Sequence, residues 1–394
     1  MAPSPSPQDP PAPVIILGAG CIGLTTAVEL LRRGFPVLVL ASHLPTDPLS
    51  PDYASTAAGA HHLSFAASDD WRQRYLDIKT FDVLWKESED RDEGLEKGIM
   101  RLTQTELYKG DLHLRLLEEL PNFRIHDPAT LPDGIEHAVS FSSVTIEPAR
   151  YLAYLVRTVT SLGGVLKRVP HLDSLAQARS YVKSPLAVVN CTGLGARDLA
   201  ETQDKTVVPV RGQVVRVHAP WIKTGWTRQV GALAGAEGGE RTYVIPRASG
   251  DVILGGTRDA DDWEGAPRNE TTADILRRAV QICPALARPP HCRSSEPVDV
   301  AGLVLGEVVG FRPTRAGGIR LEAETVRLGG EGDGDGGQRQ GAVEELTVVH
   351  NYGHGGYGWQ CAWGCAQEAA RIVGEEVRRK GVKGGPAALL KAKL

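Results

Sequence analysis

The sequence predicts an α/β chain, with a Rossmann-like, mostly parallel sheet domain into which a second, mostly antiparallel sheet is inserted. Three observations carry that prediction. Val14 to Gly23 reads VIILGAGCIG, an apolar strand that breaks into a glycine-rich turn. A second apolar run, Leu346 to His350, meets Gly353, Gly355, Gly356 and Gly358 ahead of a last helical pattern from about Trp363 to Arg378. Between them, from Val207 onward, strand-like runs follow one another at short spacing with turn signals and no helix pattern between them.

The opening stretch has the spacing of a dinucleotide fingerprint. Gly18 allows a tight turn, Gly20 lets backbone approach a pyrophosphate, and Gly23 lets the next helix pack on the strand. The helix N-terminus then offers N–H groups and a positive dipole end to phosphates. Leu24, Ala27, Val28 and Leu31 give that helix an apolar stripe, and Gly34 ends it before a second strand, Val37 to Leu40. By itself the fingerprint leaves NAD and FAD both open.

After a proline-punctuated loop, Ala57-Ala58-Gly59-Ala60-His61-His62 reads as backbone passing close to a flat ligand. Helical patterns with charged faces are expected over 70–87 and 104–119, and an amphipathic helix over 147–162, stopped by Gly163-Gly164. Val165 to Val169 reads as the next strand. Leu186 to Asn190 is another buried strand, running into the small residues Cys191-Thr192-Gly193-Leu194-Gly195. Val208 to Val217, Tyr243 to Ile245 and Val252 to Leu254 are the strands of the inserted sheet, the last two joined by Ala248-Ser249-Gly250.

With 394 residues the chain is longer than one core serves, so two domains of about 150 to 200 residues each are expected. Its 44 basic and 48 acidic residues leave no general basic field, which argues against a nucleic-acid partner. No apolar run reaches the roughly 18 residues of a membrane span, so no membrane partner is expected. The proline-rich start, residues 1–13, reads as a disordered arm without the apolar core of a signal peptide. Gly329 to Gly341 reads as a mobile surface loop. Six scattered cysteines with no CxxC pair indicate a reducing compartment. Cys361 and Cys365 lie one helical turn apart and are read as packing, so no metal is expected. The tail, 381–394, ends in Ala392-Lys393-Leu394, a one-residue variant of the Ser-Lys-Leu peroxisomal address.

Taken in order, Gly18 to Gly23, Ala58-Gly59-Ala60, Asn190 to Gly195, Pro209-Val210-Arg211-Gly212-Gln213, Leu254-Gly255-Gly256-Thr257, Gly310-Phe311-Arg312-Pro313 and His350 to Gly358 resemble the flavin-dependent D-amino-acid oxidases. Within that family the pattern is most similar to the D-aspartate oxidases. The resemblance implies a Rossmann-like FAD-binding domain formed by 14–60, 147–205 and 305–380, and a substrate domain formed by 61–146 and 206–304. It also implies a D-amino acid and O2 as substrates, with hydrogen peroxide as product. A peroxide product makes a peroxisomal import receptor, bound through Ala392-Lys393-Leu394, a sensible partner. The oligomeric state stays open, self-association included.

The resemblance also implies site residues. FAD would lie against Gly18, Ala19, Gly20, Cys21, Ile22 and Gly23, then Ser55, Ala58, Gly59 and Ala60, then Val169, Cys191, Thr192 and Gly193. Its flavin end would meet Gly355, Gly356, Tyr357, Gly358 and Gln360. Many dinucleotide folds place an acid about 20 residues past the glycines for the ribose; here Ser42 and His43 stand there instead. Arg312 matches the arginine that holds the substrate carboxylate, and its planar fork suits two oxygens. Tyr243 matches the tyrosine that joins this contact, and Gly356 the carbonyl that accepts from the amine. A second active-site tyrosine of animal members would fall at Gly239, and this chain lacks it.

Arg258 stands where D-aspartate oxidases carry an arginine, and a second substrate carboxylate needs such a cation once buried. His61 and His62 resemble a histidine near the ring, and Arg228, in the loop from Gly225 to Glu240, is a further candidate cation. That glycine-rich loop reads as a lid. Three rival readings stay open at this point: a broad or neutral-substrate D-amino-acid oxidase, a nicotinamide-dependent dehydrogenase, and a non-catalytic dinucleotide-binding protein.

Overall fold

The computed structural model describes residues 12–64, 66, 69–110, 114, 117–231, 239–290, 296–328 and 344–381. The expected arm apart from its last two residues, the loop 329–341, and the tail apart from Gly381 lie outside these residues, as does 232–238 of the expected lid.

Two sheets organise the described residues. The first has six strands in the order Arg320–Leu328, Glu344–Tyr352, Val188–Asn190, Val14–Leu17, Val37–Ala41 and Val165–Arg168. All neighbours are parallel except the first pair, which is antiparallel. Val14 to Leu17 is buried on both faces, which is why it reads as a continuous apolar run. Val14 and Ile16 pack with helices Cys21–Arg32 and Gly358–Arg379, while Ile15 and Leu17 pack with Leu175 and Leu199 on the opposite side.

The second sheet has nine strands among the described residues. Its path runs Asp259–Ala260, Val207–His218, Asp251–Gly255, Glu240–Pro246, Gly225–Val230, Ile99–Lys109, His137–Ile146 and Arg124–Ile125, and Val304–Arg315 also pairs with Val207–His218. Helix Asn269–Ile282 covers one face, where Ile275 and Ala279 pack with Val215, Val244 and Leu254. Small apolar side chains on alternate strand positions thus meet one helical stripe.

Three expectations are corrected. The helix expected over 104–119 is a strand to Lys109, with a single 3-10 turn at Leu117–Glu119. Polar residues read as a solvated helix face are buried there instead: Gln104 Nε2 donates to Glu106 Oε1 at 2.6 Å and to Thr227 Oγ1 at 3.0 Å. Val304–Arg315, expected with the FAD-binding domain from 305 on, pairs along Val207–His218 in the second sheet. Helix Trp71–Glu87, expected within the substrate domain, belongs to the core of the first sheet through Leu76 and Leu84. It meets the last helix so closely that a Cβ on Gly364 would lie 2.3 Å from the Leu76 carbonyl.

Asp77 sits on that helix with no exposed surface, its carboxylate accepting from Ser64 Oγ and from Gln73 Nε2, each at 2.6 Å. Burial outweighs these bonds and pushes its carboxyl from 3.8 up to about 8. The unfolded chain therefore releases the proton first, and stability present below about 3.8 is lost as pH rises towards 8. Asp77→Asn is expected to flatten the fall of Tm across that window. A variant with the wild-type slope would show that the buried carboxyl ionises normally.

Candidate active site

Both glycine turns open into one cavity of about 790 Å³, which continues between the two sheets to Tyr243, Arg258 and Arg312. At the first turn the geometry follows from the absence of side chains. A Cβ on Gly18 (φ +104°) would meet the Cys191 carbonyl at 2.6 Å, and one on Gly20 would meet Ser55 Oγ at 2.8 Å. Gly23 lies behind the turn, where a Cβ would sit 2.0 Å from the Gly18 carbonyl, so its role is packing. Ser55 Oγ accepts from Cys21 N at 3.0 Å and Tyr53 Oη donates to the Ala19 carbonyl at 2.5 Å, so the segment 53–60 is latched over the turn.

Every other residue assigned to the cofactor lines the cavity: Ser42 and His43 at one end, Val169 and Cys191 to Gly193 along it, and Gly355 to Gly358 with Gln360 at the other. Asp47, the carboxylate after the second strand, is instead engaged by Arg168, whose Nη1 donates to it at 2.9 Å. Gln360 is 6% exposed and its Oε1 has no hydrogen-bond partner among the described residues. A buried orphan acceptor at the far end of a long, glycine-walled cavity fits a cofactor with a polar ring there. These residues fit FAD.

At the inner end, glycine notches seat Arg312 and Tyr243. Arg312 lies over Gly212, where a Cβ would come within 2.5 Å of its guanidinium nitrogens. Its Nη1 donates to the Thr257 carbonyl at 3.1 Å and to the Arg211 carbonyl at 3.3 Å, leaving the rest of the fork to the cavity it lines. Tyr243 lies over Gly255 and Gly256, where a Cβ would stand 2.3 Å from its ring and 2.4 Å from its hydroxyl, respectively. Gly356 lies on the other side of Arg312, with a Cβ position 3.6 Å from Arg312 Cδ. The glycines of the sequence motifs around 212 and 255 thus make room for named side chains.

Among the candidate specificity residues, Arg258 and His61 line the cavity, and His61 is 7% exposed. Burial, then the nearby His62 and the Arg241 charge, push the His61 ring down to about 3, so it is neutral at working pH. His62 is corrected: its Nε2 lies 3.1 Å from the Asp77 carbonyl and its ring packs at 5.2 Å from Phe81, on the helix side. Consecutive extended residues point opposite ways, so only one of the two histidines can face the ligand. Arg228 is corrected for the same reason. It lies opposite Thr242, on the face covered by helix Asn269–Ile282, and bonds Gln281 and Glu240 at 3.3 and 3.1 Å.

Some lining residues went unread in the sequence. Tyr53 lies in an aperiodic, proline-rich loop and gives no pattern. Trp263, at 6.0 Å edge-on to Phe311, closes the cavity from the loop after Asp259–Ala260. Arg241 did leave a signal, since it precedes Tyr243 by two on an alternating strand. Beneath the second turn, His354 joins Cys361 and Cys365: all three are buried and their ligand atoms lie within 4.8 Å of one another.

The geometry defines a dinucleotide-binding protein whose cavity carries an arginine and a tyrosine at its inner end. The chain belongs to the FAD dependent oxidoreductase family, which it matches over residues 13–372. It is 46% identical over 410 residues to a D-aspartate oxidase of Cryptococcus neoformans var. grubii, covering 94% of this chain and 99% of that protein. It is 31% identical to a D-amino-acid oxidase of Fusarium vanettenii, covering 91% and 96% respectively. Among solved structures, a glycine oxidase from Bacillus cereus superposes with a TM-score of 0.65 at 16% identity, covering 93% of this chain and 98% of that one, a likeness of fold alone. FAD is the cofactor.

Gly212→Ala should fold, because the clashing atoms are the end of a flexible side chain, but it should push the Arg312 fork aside. KM for every accepted amino acid is expected to rise about tenfold or more, the scale of one lost charge-assisted hydrogen bond. Unchanged KM values would show that the notch does not position Arg312.

Proposed function

We propose that the protein oxidises D-amino acids to 2-oxo acids and prefers acidic ones, D-aspartate and D-glutamate. The observation that carries this reading is Arg258 on the wall of the same cavity as Arg312 and Tyr243. One guanidinium and a hydroxyl serve the α-carboxylate common to all amino acids. A substrate's side-chain carboxylate is costly to bury unless a cation meets it, and a further guanidinium on this wall can do so. The names of the Cryptococcus and Fusarium relatives support the same reaction class.

In this reading Arg312 and the Tyr243 hydroxyl fix the carboxylate, the Gly356 carbonyl accepts from the amine, and Arg258 takes the side-chain carboxylate. Neutral His61 donates or accepts a hydrogen bond beside it without adding charge. Three fixed points orient the α-carbon, and orientation is most of what hydride transfer asks of a protein. FAD, when bound, supplies the hydride acceptor through which O2 becomes hydrogen peroxide. Overall, the amino acid, O2 and water yield the 2-oxo acid, ammonium and peroxide. The rival nicotinamide chemistry has no place in an FAD family.

Peroxide release gives the compartment a rationale: Ala392-Lys393-Leu394 serves as a peroxisomal address read by the import receptor. A fluorescent protein ending in residues 381–394 is expected to collect in peroxisomes and to stay diffuse once 392–394 are removed. Equal distributions of the two fusions would exclude the address.

The preference is tested with wild type and Arg258→Ala on D-aspartate and D-alanine, read as peroxide formation. Wild type should favour D-aspartate, and the variant should lose D-aspartate efficiency by about tenfold or more relative to D-alanine. Wild-type preference for D-alanine would replace the acidic reading with a neutral-substrate oxidase.

A further inference from the structure

The last helix and the turn before it bring three soft donors together. Cys361 and Cys365, which the sequence reads as packing, lie four residues apart on helix Gly358–Arg379 and so share one face. His354 approaches that face from the second glycine turn, and one of its ring nitrogens and the two sulfurs all lie within 4.8 Å of one another. All three residues are buried, the cysteines at 0% exposure and His354 at 4%. His354 Nε2 has no partner at hydrogen-bonding distance among the described residues, although Cys365 lies near enough to sense the ring. A buried ring nitrogen left so is costly, and it calls for a partner that the chain itself does not supply.

Separate elements fix the donors. The backbone at His354 bridges to Thr314 on strand Val304–Arg315, and its carbonyl accepts from Tyr357 N at 2.8 Å. The helix is pinned beside Cys365, where Gly364 N donates to Thr80 Oγ1 at 2.9 Å and a Cβ would already meet the Leu76 carbonyl. Thiolate sulfur and neutral imidazole are ligands that zinc-like ions prefer, whereas magnesium and calcium ask for oxygen. Charge makes the same choice. A divalent cation with two thiolates and one neutral imidazole carries no net charge and can stay among apolar side chains, whereas a monovalent ion leaves one negative charge buried. Cys361 gives up one bond in exchange, from its Sγ to the Tyr357 carbonyl at 3.2 Å.

We propose that His354, Cys361 and Cys365 form a binding site for a soft divalent cation of the zinc class, which staples the turn carrying Gly355 and Gly356 to the last helix. The sulfurs bind as thiolates, so each thiol proton present beforehand leaves to solvent, and the imidazole binds through a nitrogen lone pair. Three protein ligands leave the remaining tetrahedral position to water. His354 also lines the cavity, which gives the ion a path from solvent. The competing possibility is that the two thiols only fill the core as small apolar side chains, a common role of buried cysteine.

The test uses the full-length FAD-loaded enzyme, reduced and freed of metal with a chelator, as wild type, Cys361→Ser, Cys365→Ser and, as a control, Cys283→Ser, which alters a buried thiol in the core of the second sheet. Serine suits both helix positions, because its hydroxyl can bond the carbonyl four residues back, as Cys361 Sγ does. Zn2+ alone is titrated at free concentrations set by a competing chelator, and bound metal and Tm are read together. Wild type and the control should bind about one Zn2+ per chain and gain Tm with it, while each serine variant of the cluster should lose affinity by about a hundredfold or more. X-ray absorption on zinc-loaded wild type needs no variant: it should show sulfur at about 2.3 Å and nitrogen at about 2.0 Å. A shell of oxygen and nitrogen alone, no stoichiometric binding by wild type, or cluster variants that bind as wild type does would each overturn the proposal. Should a serine variant fail to load FAD, the sulfur shell of the wild type decides alone.

Discussion

The antiparallel pairing of Val304–Arg315 with Val207–His218 is the constraint on which the site depends. Its register sets Gly310 opposite Gly212, Phe311 opposite Arg211 and Arg312 opposite Val210. A slip of one residue would turn Arg312 to the other face of the sheet. The same strand bridges at Thr314 to His354, at the edge of the second glycine turn, and the chain then enters the first sheet at Arg320. One continuous segment thus fixes Arg312 and the second glycine turn relative to each other. Its partner strand also carries Arg211, wholly buried, whose Nε and Nη2 each donate at 2.7 Å to the carbonyls of Glu264 and Ala266, holding the loop that brings Trp263 to the cavity.

Electrostatically the site is asymmetric by construction. Glu240 pairs with Arg228 and Asp259 with Arg211 and Arg268, while Arg258 and Arg312 line the same cavity. In a medium of low effective dielectric a carboxylate is costly to bury alone and favoured beside a guanidinium. Burial keeps His61 neutral, so it adds hydrogen-bonding capacity without adding charge.

Much of this was legible in the sequence, and the reason lies in what each feature encodes. The turn at Gly18 to Gly23 and the turn at Gly353 to Gly358 are local mechanical necessities, so their spacing can be read without knowing the fold. Apolar runs such as Val14 to Leu17 mark sheet interior directly. The strand through Gln104 and Glu106 failed that reading because its buried polar side chains bond one another, Gln104 Nε2 to Glu106 Oε1 and Thr227 Oγ1, and in sequence such a face looks like a solvated one. Arg228 and Arg241 show the other limit. Both lie near Tyr243 in the sheet, and only strand pairing reveals that the first faces the helix and the second the cavity. The two adjacent histidines posed the same question of parity.

The glycine notches have a consequence for how such a site can change over time. Gly212 and Arg312, or Gly255–Gly256 and Tyr243, behave as lock and key halves within one chain: neither half can enlarge while the other keeps its size. Altered descendants would therefore be expected to exchange residues at these positions in concert. An engineer wishing to widen the chamber for bulkier molecules would do better to shrink Tyr243, and then refill its vacated glycines, than to alter the glycines first.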